Sequence, residues 1–62
     1  MKEKTIDIFV KRDEGYMIEL RTQSQEEADR KLEELKAEGA QPTFHTINES
    51  GFTVYEQYMY YI

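Results

Sequence analysis

The chain contains no cysteine, one histidine and one proline among 62 residues. Disulfides and thiolate metal sites are thereby excluded, and an imidazole-based metal site would have His45 alone to draw on. Basic residues are also scarce: eight Lys and Arg stand against thirteen Asp and Glu, a net charge of −5. That balance favours solubility and works against binding a phosphate backbone, which takes clustered Lys and Arg. Long apolar runs are missing too. MKEKTIDIFVKRDEG has no stretch that could serve as a secretory h-region, and nothing approaches the roughly 20 apolar residues of a membrane span. The expectation is a soluble cytoplasmic protein without membrane association, folded as a single domain over residues 1–62. So short a chain buries only about 60% of its unfolded surface, so reinforcement by disulfide, metal or oligomerisation is common at this size. Composition leaves oligomerisation.

What is present is alternation. In residues 5–11, TIDIFVK, Ile6, Ile8 and Val10 fall on one side and Thr5, Asp7, Phe9 and Lys11 on the other. Residues 16–22, YMIELRT, alternate likewise, with Tyr16, Ile18 and Leu20 against Met17, Glu19 and Arg21. Both read as strands, and RDEG between them as a hairpin turn. Ser24 and Glu27 then stand at capping-box spacing, opening a helix that Gly39 and Pro42 close. Ala28, Leu32 and Leu35 form its narrow apolar stripe, and the rest of its surface is polar or charged. Residues 43–48 and 52–62 flank NESG as a second hairpin. The prediction is an α+β domain of order ββαββ: a four-stranded, mainly antiparallel sheet with one helix on one face. The favoured strand order is 2-1-3-4, with every neighbour antiparallel, ahead of 1-2-3-4.

The last strand carries four of the five tyrosines and does not alternate cleanly. One phase holds Phe52, Val54, Glu56, Tyr58, Tyr60 and Ile62; the other holds Thr53, Tyr55, Gln57, Met59 and Tyr61. Strict alternation puts Glu56 in line with the core, at several kcal/mol for an unpaired carboxylate, which a bulge near Glu56 and Gln57 would relieve. With Ile6, Ile8, Val10, Ile18 and Leu20 meeting the helix, the opposite face displays Phe9, Met17 and Ile47, joined in the unbulged phase by Tyr55, Met59 and Tyr61. One helix covers one face, so these six residues form the predicted protein-binding surface.

Other chemistries fit poorly. His45, Glu49 and Ser50 lack a glycine-rich elbow and an oxyanion site, so no enzyme is expected. The helix carboxylates Glu26, Glu27, Asp29, Glu33, Glu34 and Glu38 are interleaved with Arg30, Lys31 and Lys36, the pattern of a solvated face, and no metal or other cofactor is expected. A base-stacking platform would need a basic surround beyond Lys2, Lys4, Lys11 and Arg12. Glu49-Ser50 resembles the Glu-Ser segment of some uracil-DNA glycosylase inhibitors, a likeness confined to two residues on which no family membership is based. The expected function is a non-enzymatic interaction module, a homodimer or a small regulator or inhibitor of a host protein, of the kind phages and mobile elements encode. Its rivals are an acidic nucleic-acid mimic acting through the helix carboxylates and a designed, fold-only domain without a partner.

Overall fold

The computed structural model describes residues 3–62; Lys2, named above among the basic residues, lies outside them. The elements are β1 (Glu3–Arg12), β2 (Gly15–Thr22), α1 (Gln25–Ala37), β3 (Gln41–Ser50) and β4 (Thr53–Tyr61). They form an α+β domain of order ββαββ, with one four-stranded mixed sheet and one helix.

The helix ends are satisfied from sequence outward. Ser24 accepts the Glu27 backbone N–H at 3.2 Å, one arm of the expected capping box. Its other arm is replaced: the Ser24 N–H donates to Thr22 Oγ1 at 3.0 Å, and that hydroxyl donates to Glu27 Oε2. At the far end Gly39 takes φ +89°, its N–H bonding the Lys36 carbonyl while Ala40 N–H bonds the Leu35 carbonyl. This paired C-terminal closure needs the left-handed conformation that glycine adopts without a Cβ penalty. It also folds Ala40 back onto Leu35, and both are buried.

Strand order is β2-β1-β4-β3, which corrects both orders predicted from sequence. The hairpins pair antiparallel as expected, but β4 rather than β3 lies beside β1, and that central pair is parallel. Composition explains the choice. A central strand has a neighbour on each edge, so its large side chains in both phases gain cross-strand partners, and of β3 and β4 only β4 carries such side chains in both phases. β3 is poor in apolar residues, is exposed almost throughout and contains Pro42, which suits an edge.

The core lies between the helix and β1. Ile6, Ile8 and Val10 are fully buried with Ala28 and Leu35, and Leu20, Leu32, Tyr58 and Tyr60 pack around them. The helix sits over β1 and β2. Its margin toward β4 leaves a shallow groove lined by Asp29, Leu32, Glu33, Lys36 and Tyr60. No helix among the described residues is long and apolar enough to cross a membrane.

Candidate protein interface

Cross-strand partners share a face of a sheet, so the register fixes which side chains meet. β4 pairs with β1 without interruption from Glu3↔Thr53 to Lys11↔Tyr61. The expected bulge near Glu56 and Gln57 is therefore absent, and Glu56 does stand on the helix side, 4% exposed. Two basic side chains flank it, Lys4 Nζ 3.8 Å from Oε1 and His45 Nε2 3.6 Å from Oε2, while Oε1 is buried without a hydrogen bond. The His45 ring stacks on Tyr58, with centroids 4.1 Å apart. Burial, followed by a hydrogen bond with Glu56, pushes the Tyr58 phenol up to about 12. Pairing with Tyr58 also puts His45 on the helix side of the sheet, away from the helix-free face.

Two bulges sit elsewhere, one in each hairpin. Between Ile8↔Leu20 and Phe9↔Ile18 the register of β2 slips by one residue, at Glu19. Between Pro42↔Tyr60 and Phe44↔Met59 the register of β3 slips again, at Thr43. Each slip reverses the phase of the strand beyond it. Leu20 faces the core as predicted, but Ile18 pairs with Phe9 on the helix-free face and Met17 pairs with Val10 on the helix side. Ile47 pairs with Glu56, also on the helix side. Of the six predicted interface residues, Phe9, Tyr55, Met59 and Tyr61 thus share the helix-free face. Met17 and Ile47 do not; both are exposed on the other side.

The helix-free face resolves into rows running across the strands. One row is apolar over all four: Ile18, Phe9, Met59 and Phe44, each beside the next. On one flank lies the row Tyr16, Lys11, Tyr61 and Gln41, where the lysine ammonium is 5.8 Å and 5.9 Å from the two tyrosine ring centroids. Such distances allow a cation–π contact with each ring. On the other flank lies a polar row of Arg21, Asp7, Gln57 and Thr46.

Asp7 anchors that polar row. It is fully buried, and Arg21 grips it with Nε to Oδ1 at 2.8 Å and Nη2 to Oδ2 at 3.0 Å. The Tyr55 hydroxyl donates to Oδ2 as well. The Arg21 hydrogen bond is the main cause holding the Asp7 carboxyl below its usual value; burial opposes it and Tyr55 adds to the lowering. The same bond to Asp7 raises the Tyr55 phenol. Tyr55 is therefore a structural ligand of a buried carboxylate as much as a surface ring.

On this face the apolar and tyrosine rows hold four exposed large side chains: Tyr16 44%, Ile18 47%, Phe44 55% and Tyr61 54%. Taking about 200 Å² of exposable surface per large side chain, these four leave roughly 400 Å² to water, about the largest patch an ordinary monomer shows. Tyr16, Ile18 and Phe44 escape prediction from sequence, because the register counted from each turn places them here and the bulges beyond them turn Leu20 and Pro42 to the other face. For catalysis and metal binding the geometry offers little: His45 and Ser50 lie on opposite faces, and no group of three or more metal-ligating side chains occurs among the described residues. Comparison with models of protein families, with curated proteins and with solved structures finds no match for this chain.

Proposed function

We propose that this chain is a non-enzymatic protein-binding module that works through the helix-free face of its sheet. The observation that carries the reading is the unbroken row of Ile18, Phe9, Met59 and Phe44, flanked by the Tyr16–Lys11–Tyr61 row. Apolar and aromatic side chains at the centre with polar groups at the margin is how protein interfaces are composed. Charge agrees. The face carries Glu3 and Asp7 against Lys11 and Arg21, so a partner meets no net field there, although the chain as a whole carries −5. That neutrality favours a protein partner over a nucleic acid.

The test uses surface variants in a capture experiment with the whole chain as bait. Phe44→Glu and Tyr61→Glu should each abolish capture of the partner while leaving the circular dichroism spectrum unchanged. Paired neutralisation of Glu33 and Glu34 on the helix should leave capture intact. The reverse pattern would refute the reading and favour nucleic-acid mimicry by the helix.

A further inference from the structure

The two edges of the sheet differ. β2 carries the bulge at Glu19, the Arg12–Glu19–Lys31 charge network and the cover of the helix. These are the usual devices that stop a sheet edge from recruiting another strand. From Phe44 to Ser50 β3 has neither a bulge nor the helix across it, and the charge contact of His45 with Glu56 points inward to β4. Over that stretch its register with β4 is unbroken, Thr46 alone is even partly buried, and the titratable residues are His45 and Glu49. Gly51 and Phe52 form the two-residue loop to β4, with φ +59° at Gly51, so Ser50 and Thr53 close it as a hydrogen-bonded pair. Hydrogen-bonded pairs alternate along an antiparallel ladder. The backbone groups of His45, Ile47 and Glu49 consequently face outward.

We infer that this edge pairs with a second copy of the chain, antiparallel about a two-fold axis at Ile47, giving one continuous eight-stranded sheet. The occupant follows from self-complementarity. Centring on Ile47 sets its side chain, 54% exposed, against its own mate. It also sets each His45 imidazole opposite the partner's Glu49 carboxylate, twice over, and Thr46 opposite Asn48. Glu49 is already engaged within its own protomer; a carboxylate has acceptor sites enough for a further donor. Like charges never meet in this register, and the outward residues of one copy pair with the outward residues of the other. A two-fold axis normal to the sheet keeps both helices on one side, so the two apolar rows lie on the same surface. The inference stands independently of whether that surface binds anything.

Sedimentation of the whole chain from micromolar to about 1 mM tests it. The wild type should show a concentration-dependent dimer. Ile47→Lys, which sets two ammonium groups across the axis, should raise the dissociation constant roughly tenfold or more. Ile18→Lys, on the helix-free face, should leave it unchanged. Any other pattern overturns the inference, and loss in Ile18→Lys alone would point instead to association through the face. Because the chain has no cysteine, an oxidised Ile47→Cys variant gives an independent reading. Hydrogen-bonded partners sit with Cα atoms about 5.5 Å apart, within disulfide range. A covalent dimer with unchanged circular dichroism is the expected product, and failure to form one counts against the pairing.

Discussion

Replacing Asp7 with Asn tests whether the buried carboxylate on the helix-free face stabilises the fold as its geometry implies. The side chain is fully buried and receives three hydrogen bonds, two from Arg21 and one from Tyr55. Asn keeps the shape but removes the charge and cannot accept all three donors. A hydrogen bond to a charged group contributes about 1.5–3 kcal/mol net, against about 0.5–1.5 for a neutral one. Neutralisation also removes the desolvation cost of the buried charge, which offsets part of the loss. The balance is a destabilisation of about 1.5 kcal/mol at pH 7, out of the 3–5 kcal/mol or so that a core of this size supplies. With a urea slope of about 1 kcal/mol/M for so small a chain, the midpoint falls by roughly 1.5 M. The sign of the pH dependence is fixed by the lowered Asp7 pKa. A carboxyl depressed in the folded state adds stability above its unfolded value, about 3.9, and loses it as pH falls through the folded value. Wild type and Asp7→Asn should therefore differ fully at pH 5–7 and converge as pH falls through the lowered folded value of Asp7. Urea melts monitored by tyrosine fluorescence, at several pH values, measure both quantities. A gap that persists undiminished into acid, or a variant as stable as wild type at pH 7, would refute the argument.

Tyr55→Phe should cost about 1 kcal/mol and move the Asp7 carboxyl up toward its ordinary value, since the hydroxyl is one of its donors; an NMR titration of the carboxyl reads the shift. Tyr58 should be among the last phenols to ionise, near pH 12, so ultraviolet titration of Tyr58→Phe should lose that step. Because its folded pKa is raised, the stability it contributes is complete below about pH 10 and is lost as pH climbs through 12. Leu35→Ala opens a cavity beneath the helix at a residue 1% exposed, at a cost of about 2–5 kcal/mol. That rivals the whole stability, so its circular dichroism spectrum should show a largely unfolded population at 25 °C.

The elements themselves were legible because each rests on local chemistry. Ser24 caps, Gly39 closes, and the period-two runs of β1 and β2 make strands whatever lies beside them. Strand order was not legible from pairing preference, because antiparallel neighbours are only a tendency. The deciding quantity was how much apolar surface each strand carries on its second face. Phe9, Tyr55, Met59 and Tyr61 could be placed because β1 and β4 run in unbroken register. Placing Asp7 opposite Arg21 required knowing where the hairpin slips.

The slips were nevertheless encoded, in loop length rather than in the strands. Asp13 and Glu14 make a two-residue loop, which pairs Arg12 with Gly15 and hence Val10 with Met17 and Phe9 with Ile18. Continued without interruption, that register would pair Leu20 with Asp7 on the helix-free face and Arg21 with Ile6 in the core. One extra residue in β2 resolves the conflict: Glu19 and Leu20 both turn to the helix side, where Glu19 meets Arg12 and Lys31. The second loop works in the same way, since Gly51–Phe52 pairs Ser50 with Thr53 and thereby Ile47 with Glu56. A strand's face is thus set by counting outward from its turn, and its alternation only reports whether the count has been broken. The break in β2 separates the two jobs of one short strand, because Leu20 on one side of it closes the core while Ile18 on the other completes the apolar row.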